Sequence, residues 1–543
     1  MSNAVRVALA QLDLAVGDVA GNTTRIVETA LRARDELDAH LVVFPELSVS
    51  GYPPEDLLFH KGLSEAVEGA LERIRREVHG VAVLVGYPEY ADEGLFNACS
   101  VYESGRLLCH YRKQMLPNYS VFDEKRYFTE GRKPAVFGFR DVRIGLNICE
   151  DVWQAGPLAA SKSAGAEVVI AINGSPYDVT SQLNREVIVA ERVRENGLPV
   201  LYANMVGGQD ELVFDGGSFA MDAAGELCHR ASAFEEELAL ITLEPGTAKI
   251  ALAPGTVAPL LEKEASVYTA LVTGTRDYVE KHGFPGVILG LSGGVDSALV
   301  AAIACDALGA DRVRAVMMPF RYTSTISQED AALEAATLGI RYDVLPIAPI
   351  YDATLRQLEP IFSGRDEDVT EENIQSRVRG LLLMAISNKT GRMLLTTGNK
   401  SEMAVGYATL YGDMAGGFAP IKDVSKSLVY ALARYRNTLG QVIPERVITR
   451  EPSAELRPDQ KDTDSLPPYD VLDPILEAFI EEDLSVDQIE ARGFERDVVI
   501  RVLEMVKRNE YKRRQAPPGV RISSRAFGRD WRYPITSGYR FPG

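Results

Sequence analysis

Short apolar stretches rich in β-branched residues alternate with segments of helical spacing along the first 245 residues. Each stretch has the length and composition of a buried strand rather than of a helix. Between the first two, residues 22–38 place Ile26, Ala30 and Leu37 on one helical face, and Asn22 is a suitable N-terminal cap. This alternation predicts an α/β layer domain. The predicted strands are Val5–Leu12, Leu41–Phe44, Val81–Val85, Val142–Ile148, Val168–Ile172 and Val200–Ala203.

The second half of the chain shows the same alternation, which is typical of βαβ units with a mostly parallel sheet. Between the halves, residues 246–262 concentrate Pro, Gly and Thr without an amphipathic period, which indicates a linker. We therefore expect a first domain over 1–245, a linker over 246–262 and a second domain over 263–543. The predicted strands of the second domain are Val287–Leu291, Val313–Met318, Tyr342–Pro346 and Met393–Thr397.

The composition is that of a globular protein with an acidic balance. The 543 residues include 58 basic and 77 acidic ones, for a net charge of −19. This argues against a general binder of nucleic acids or anionic membranes, because such proteins use clustered Lys and Arg. The five cysteines form no C-x-x-C pair, and we find neither a signal peptide nor an apolar run long enough to cross a membrane. We expect a cytoplasmic protein with reduced thiols and with neither nucleic acid nor membrane as partner.

The C-terminal segment 507–543 departs from this balance, with ten Lys and Arg residues against two acidic ones. A local positive charge on an acidic chain needs anionic partners. Two interpretations remain open: a basic surface paired with acidic surface elsewhere in the oligomer, or a site for a phosphate-rich ligand.

Glu46, Lys113 and Cys149 each lie close to the end of an apolar stretch, where α/β folds assemble their chemistry. Taken singly, each has an ordinary explanation, since most buried cysteines are inert and most lysines lie on solvated surfaces. Together they supply what amide cleavage needs: a nucleophile, a group that moves its proton, and a positive charge beside the developing oxyanion. The combination favours a thiol-dependent amidase.

The segments around these residues carry a family resemblance. F-P-E-L-S-V-S-G-Y, Y-R-K-Q-M-L-P-N-Y and N-I-C-E-D-V-W resemble motifs of the nitrilase (carbon–nitrogen hydrolase) superfamily, over about residues 4–245. The resemblance implies a nitrilase-like α/β sandwich, with Glu46 as general base, Lys113 stabilising the oxyanion and Cys149 forming a thioester. Glu124 resembles the family's supporting second glutamate. A Cys-His-Glu glutaminase is disfavoured, because no histidine has a Glu two positions later.

The same resemblance implies glutamine contacts at Tyr52, Tyr119, Ser175 and Ser181. Ser181 stands where the family pattern leads us to expect Lys or Arg. Arg185 is therefore a possible substitute for pairing with the substrate carboxylate.

A glycine-rich turn links a predicted strand to a predicted helix in S-G-G-V-D-S. Adjacent glycines let backbone N–H groups converge on an anion, and a following helix N-terminus favours negative charge. The turn lacks the G-K-[ST] of a Walker A loop and resembles the PP-loop of ATP pyrophosphatases; a turn without function is the alternative. Asp296 is a candidate magnesium ligand. The expected ATP contacts are Gly290, Leu291, Ser292, Gly293, Gly294, Val295, Asp296 and Ser297.

Residues 263–543 resemble the NAD synthetase family, with a doubly wound parallel-sheet fold. The resemblance rests on E-N-I-Q-S-R-V-R-G, on L-L-T-T-G-N-K-S-E and the residues after it, and on Y-K-R-R-Q-A-P-P-G. It implies that Thr397 contacts ATP and that Glu402 joins Asp296 at magnesium or approaches the dinucleotide. The deamido-NAD contacts it implies are Asn373, Arg377, Glu402, Asp413, Lys426 and Lys512.

Together the two resemblances imply one reaction. A carboxylate adenylated by ATP needs a nitrogen donor, and an amidase can release ammonia from glutamine. We expect deamido-NAD, ATP and glutamine to give NAD, AMP, pyrophosphate and glutamate through an adenylated intermediate, with Mg²⁺ required and a homo-oligomer by resemblance. Two alternatives are another PP-loop amidotransferase, such as a GMP synthetase analogue, and a nitrilase-type hydrolase whose second half only senses a nucleotide.

Overall fold

The computed structural model describes residues 4–246, 250–458 and 460–542. The chain forms two compact units, residues 1–261 and 262–543. Residues 250–252, which fall within the expected linker, form a strand paired with 243–245, so the linker prediction is wrong there. Composition signals a linker, but it does not reveal this backbone pairing. Residues 247–249 of the same prediction lie outside the described residues.

The first unit contains two large sheets and a two-stranded ribbon. The larger sheet has the order β15-β14-β1-β2-β3-β4-β5 and the smaller β13-β12-β9-β8-β7-β6, with β10-β11 apart. The strands are β1 (Val5–Gln11), β2 (Leu41–Val43), β3 (Ala82–Ala91), β4 (Gly94–Glu103), β5 (Arg106–Arg112), β6 (Ala135–Phe139), β7 (Val142–Ile148), β8 (Val168–Asn173), β9 (Val200–Asn204), β10 (Val206–Gln209), β11 (Leu212–Asp215), β12 (Phe219–Met221), β13 (Leu227–Arg230), β14 (Glu237–Pro245) and β15 (Ile250–Leu252).

The two large sheets pack face to face, and helices cover their outer faces. Leu9, Val43 and Leu84 of one sheet share a buried core with Ile144 and Ile170 of the other. This arrangement confirms the expected α/β sandwich. The helices are α1 (Val19–Leu37) and α2 (Lys61–Glu77) on the larger sheet, and α3 (Glu150–Trp153), α4 (Ala155–Ser163) and α5 (Ser181–Asn196) beside the smaller.

Helix α1 begins earlier than its sequence suggested. Asp18 is the N-terminal cap and accepts a hydrogen bond from the Gly21 amide. Asn22 lies inside the helix, where its side chain bonds the backbone of Ala15 and Val49. Both residue types cap helices well, so only the tertiary contacts distinguish their roles.

The second unit contains a four-stranded parallel sheet, as predicted, in the order β18-β17-β16-β19. The order reverses between β16 and β19, the position at which doubly wound folds form ligand crevices. The strands are β16 (Val287–Gly290), β17 (Val313–Met317), β18 (Arg341–Val344) and β19 (Met393–Leu395). The helices are α6 (Lys263–Lys281), α7 (Val295–Leu308), α8 (Thr325–Leu338), α9 (Ala348–Phe362), α10 (Val369–Thr390), α11 (Lys400–Val405), α12 (Lys426–Thr438), α13 (Glu445–Thr449), α14 (Tyr469–Ile480), α15 (Val486–Glu490), α16 (Arg496–Arg508) and α17 (Glu510–Arg513).

The basic C-terminal segment packs back onto its own unit. Trp531 lies edge-on to Phe479 of α14 and stacks on Tyr533. Several of its arginines are ion-paired with acidic side chains of the same unit, and two of them, Arg513 and Arg521, are buried. These pairs hold the segment against its own unit, and both interpretations of its charge stay predictions. The pairs are Arg513–Glu510, Arg514–Glu510, Arg521–Asp530 and Arg525–Asp483.

None of the helices in the described part of the chain is long and apolar enough to span a membrane.

Candidate active sites

A buried cluster of charged side chains joins the strand ends of the first unit. The Lys113 ammonium, just after β5, donates to Glu46 Oε1 at 2.7 Å and to Glu124 Oε1 at 2.8 Å. All three side chains are almost completely buried, and Cys149 at the end of β7 lies within electrostatic reach of them. The structure thus brings together the four residues expected to carry amide chemistry.

Both carboxylate oxygens of Glu46 are fixed by further donors that the sequence did not reveal. Asn97 of β4 donates to Oε1 at 2.7 Å, and the Gly174 amide after β8 donates to Oε2 at 2.8 Å. These residues lie far from Glu46 in the sequence, so no local motif points to them. Their hydrogen bonds fix the orientation of the Glu46 carboxylate.

Cys149 occupies a strained turn between β7 and α3. Its φ of +46° lies in the left-handed region, which non-glycine residues rarely adopt, and its amide donates to the Ile172 carbonyl at 2.9 Å. Burial raises the pKa of the thiol well above its ordinary value, the charge of Glu46 adds to this, and Lys113 opposes it. The raised pKa favours the protonated thiol over the thiolate.

The carboxyl group of Glu124 has a pKa that burial shifts towards neutrality. Burial raises its pKa to about 7, although the Lys113 ammonium opposes the rise. Tyr52 donates to Glu124 Oε1 at 3.2 Å, whereas Oε2 has no hydrogen-bond partner among the described residues. Glu124 can thus change protonation near neutral pH.

Of the residues expected to bind glutamine, only some lie beside the Glu46–Lys113–Glu124 cluster or Cys149. Tyr52 contacts Glu124, whereas the half-exposed Tyr119 donates to Glu150 at 2.8 Å, next to Cys149 in the sequence. The hydroxyl of Ser181 is bonded to the backbone of Asp178 at the start of α5.

Arg185 lies behind Ser175 and is fully buried. Its five N–H groups donate to Ser175, Pro176, Gln182 and Asp215. In this structure Arg185 therefore supports the Ser175 segment instead of offering a free donor, which disfavours it as the partner of a substrate carboxylate. A contact between Arg185 and the carboxylate of glutamine stays a prediction.

The loops after β16 and β19 line a cavity of about 520 Å³ in the second unit. It lies at the strand-order reversal, as the doubly wound fold predicts. Arg379, Tyr407 and Glu455 also line it, and the sequence analysis missed them. The expected site residues on its wall are Gly290, Leu291, Ser292, Asn373, Thr397, Asp413 and Lys512.

A smaller cavity of about 180 Å³ adjoins the phosphate loop and shares Ser292, Thr397 and Asp413 with the larger one. Gly293 lines neither cavity, but a Cβ there would lie 2.2 Å from the Ser327 carbonyl oxygen, and its φ is +80°. The loop conformation thus requires glycine at this position. The other expected residues on the smaller cavity are Gly294, Val295, Asp296, Ser297, Glu402 and Lys426.

Lys426 lies between two carboxylates in this smaller cavity. Its ammonium is 2.5 Å from Asp296 Oδ2 and 3.6 Å from Glu402 Oε1, and Asn399 donates to the other Asp296 oxygen at 2.8 Å. Burial raises the pKa of Glu402 to about 8, Asp296 adds to the rise, and Lys426 opposes it. Within the described residues, no group of three or more His, Cys, Asp or Glu side chains is arranged to hold a metal ion.

Two arginines of the motif R-V-R-G on α10 face different cavities. Arg377 lines a separate groove with Leu381 and Tyr411, and Arg379 lines the 520 Å³ cavity. Side chains two positions apart on a helix point in different directions, so the motif alone did not identify which arginine enters the main cavity. Burial lowers the pKa of Arg379 to about 10, partly offset by Glu455.

Lys512 donates to the carbonyl oxygens of Gly406 and Ala408, both at 2.8 Å, so it also fixes the segment after α11. Asn373 accepts a hydrogen bond from Thr409 in the same segment. The segment after α11 is thereby held against the large cavity.

Each of the two units matches a known protein family. The carbon-nitrogen hydrolase family matches residues 6–250, and the NAD synthase family matches residues 267–516. The chain is 49% identical to the glutamine-dependent NAD(+) synthetase of Acinetobacter baylyi, over 98% of this chain and 99% of that protein. It belongs to the glutamine-dependent NAD(+) synthetase family.

Other members of the family agree. The Thermotoga maritima glutamine-dependent NAD(+) synthetase is 45% identical over 99% of both chains. The solved structure of the glutamine-dependent NAD+ synthetase from Acinetobacter baumannii, in complex with ADP, has a TM-score of 0.80 and 46% identity, covering 99% of this chain and 100% of that one. Family membership leaves no support for the alternatives of a GMP synthetase analogue or a hydrolase with a nucleotide sensor.

Proposed function

We propose that this protein is an ATP-dependent ligase that amidates deamido-NAD to NAD with ammonia released from glutamine. The observation that carries the proposal is the pairing, in one chain of this family, of a buried Glu46–Lys113–Cys149 site with a nucleotide-sized cavity beside a phosphate loop. The first supplies nitrogen, and the second consumes it.

In the glutaminase step, Glu46 takes the proton from Cys149 as the sulfur attacks the side-chain amide carbon of glutamine. Lys113 stabilises the oxyanion that forms. The NH₂ group of the tetrahedral intermediate then takes the proton from Glu46 and leaves as ammonia as the C–N bond breaks, and a thioester remains on Cys149. Glu46 next deprotonates a water molecule, whose oxygen attacks the thioester carbon. The C–S bond then breaks, glutamate leaves, and Glu46 returns the proton to the Cys149 sulfur.

In the synthetase step, we assign ATP to the loop of residues 290–297 with Thr397, and deamido-NAD to the remaining expected residues of the second unit. The nicotinate carboxylate attacks the α-phosphorus of ATP and pyrophosphate leaves. Ammonia then attacks the adenylated carboxyl carbon, AMP leaves, and the amide of NAD remains. The N–H groups of the loop and Lys426 offset the negative charges that meet there.

The pair Asp296 and Glu402 suits Mg²⁺. Both carboxylates face one ammonium, that of Lys426, so the site already accommodates a cation between them. Mg²⁺ commonly takes one or two protein carboxylates and completes its shell with water and phosphate oxygens. When bound, it would neutralise phosphate charge during adenylyl transfer. Asp296 and Glu402 are the residues that would hold it.

The five free cysteines fit a reducing compartment, and we place the protein in the cytoplasm. Family resemblance supports a homo-oligomer as its working state.

The decisive test is Cys149→Ala, assayed for NAD formation with saturating glutamine and, separately, with saturating ammonium salt. We expect synthesis from glutamine to stop and synthesis from ammonia to continue, because Cys149 acts only on the glutamine amide. Cys228→Ala, the same change at a half-buried cysteine of β13, is the matched control and retains both activities. Near-normal synthesis from glutamine in Cys149→Ala would refute the assignment of the thiol. Loss of ammonia-driven synthesis from a folded variant would refute the division of labour.

A further inference from the structure

Asp151 is a buried carboxylate that no step of the proposed chemistry uses. It lies two residues after Cys149, in helix α3, and its side chain is completely buried. A carboxylate is buried at high cost unless hydrogen bonds replace its water, so its partners indicate why it is there.

Its two oxygens join the segments that carry Lys113 and Cys149. Oδ1 accepts from the backbone amides of Gln114 and Met115, at 3.1 and 2.8 Å, which directly follow Lys113. Oδ2 accepts from the amide of Ile148, at 3.0 Å, which directly precedes Cys149. One side chain thus holds both the backbone that directly follows Lys113 and the backbone that directly precedes Cys149.

A fourth hydrogen bond fastens Asp151 to the larger sheet. The Tyr111 hydroxyl of β5 donates to Oδ2 at 2.8 Å and itself accepts from Gln114 Nε2 at 3.0 Å. Strand β5 belongs to the larger sheet and β7, which ends before Cys149, to the smaller. The Asp151 carboxylate therefore bridges the two sheets at the site.

We propose that Asp151 is a positioning residue of the glutaminase, which sets the separation of the Lys113 ammonium and the Cys149 sulfur through the backbone of residues 114–115 and 148. The inference rests on the proposed function, which assigns those two groups to amide cleavage. A carboxylate is required because all four partners are donors, and an amide side chain would direct its own N–H groups at some of them.

The test is Asp151→Asn in the full-length protein, with glutamine hydrolysis as the readout. We expect kcat to fall by about 10²-fold, the effect of misplacing a reacting group by about 1 Å, with KM for glutamine changed less than threefold. The rate at which iodoacetamide alkylates Cys149, followed by mass spectrometry, should change as well. Ammonia-driven NAD synthesis should remain at the wild-type level, which shows that the second unit is folded and active.

Two further variants keep the result interpretable. Tyr111→Phe removes one of the four hydrogen bonds and is expected to lower kcat less than Asp151→Asn. If the asparagine variant does not fold, Tyr111→Phe takes its place as the test of the proposal. Ile74→Ala, in the outer helix α2, lowers stability without touching this bridge and should keep kcat. The proposal is overturned if Asp151→Asn, or Tyr111→Phe in its place, keeps kcat and the alkylation rate within error of wild type. It is overturned too if Ile74→Ala lowers kcat as much at equal loss of stability. Cys149→Ala tests the proposed function separately, since its retention of glutamine hydrolysis would contradict that function whatever Asp151→Asn does.

Discussion

Removing the buried ammonium of Lys113 tests the charge arrangement of the glutaminase most directly. Lys113→Met keeps much of the side-chain volume but leaves Glu46 and Glu124 facing each other without the cation that now lies 2.7 and 2.8 Å from them. Breaking a buried ion pair by deleting one partner costs about 3–5 kcal/mol. We therefore expect a folded but destabilised protein, in which protonation of Glu124 relieves part of the cost.

The loss of stability should depend on pH with a definite sign. The pKa of Glu124 is about 7 in the folded protein, above that of the unfolded chain, so its contribution to stability is complete at low pH and is lost as the pH rises through the folded value. Without Lys113 that pKa rises further, and the loss extends to higher pH. The difference in unfolding free energy between wild type and variant should therefore widen from pH 7 to pH 8, by up to about 1.4 kcal/mol.

The catalytic loss should be confined to the glutamine reaction. Deleting one donor to an oxyanion costs about 10²–10³-fold in rate, so NAD formation from glutamine should fall by at least that factor while formation from ammonium salt persists. Calorimetric unfolding at pH 6, 7 and 8 measures the stability. Lys125→Met, the same change at an exposed lysine of this unit, is the control and should alter neither quantity. Synthesis from glutamine within threefold of wild type, or a stability difference that shrinks as the pH rises, would refute the reasoning.

Three further predictions concern the second unit. Asp296→Asn should abolish NAD synthesis from either nitrogen source while glutamine hydrolysis stays measurable, and near-normal synthesis at saturating Mg²⁺ would contradict its role. Lys512→Ala should raise KM for deamido-NAD or lower kcat without changing saturation of the glutaminase by glutamine; an unaltered dependence on deamido-NAD would leave it only its bonds to Gly406 and Ala408. Arg379→Leu should raise KM for ATP about 10-fold or more, as expected for losing a hydrogen bond from a charged group, and an unchanged KM would exclude contact with ATP.

The six strands predicted for the first unit are present, whereas β4–β6 and β10–β15 were not predicted. Val142–Ile148 has its predicted bounds, because the exposed Asp141 precedes it and the left-handed turn at Cys149 ends it. The start of α1 was misplaced because Asp18 and Asn22 are equally good caps, and only the contact of Asn22 with Val49 separates them. Strand β15 was missed because a Pro- and Gly-rich composition does not show that its backbone pairs with β14.

Candidate site residues could be named from the sequence where each stands in a short motif. Glu124 was expected at the site as a supporting second glutamate, and it lies 2.8 Å from Lys113. Asn97 and Gly174 were missed, because hydrogen bonds to Glu46 come from strands distant in the sequence and need no particular motif. Arg379 was missed for a different reason, since motif letters do not state which helical face meets the cavity.

Both units contain a buried lysine between two carboxylates. The two proposed substrates, glutamine and ATP, differ in charge, and this difference gives the two clusters different roles in the proposed reaction. Lys113 lies between Glu46 and Glu124, and Lys426 between Asp296 and Glu402. With both carboxylates ionised, each cluster would carry one excess negative charge, and burial opposes this by raising the pKa of one carboxylate in each, to about 7 for Glu124 and about 8 for Glu402. The amide group of glutamine is neutral, so the excess charge in the first unit can act only on protons, which the thiol and the departing ammonia require. In the proposed synthetase site ATP would bring its own negative charge, so the ionised cluster of the second unit would favour a cation that arrives with the phosphates. On the proposed function, the charge of the substrate therefore decides whether such a cluster moves a proton or accepts a metal ion.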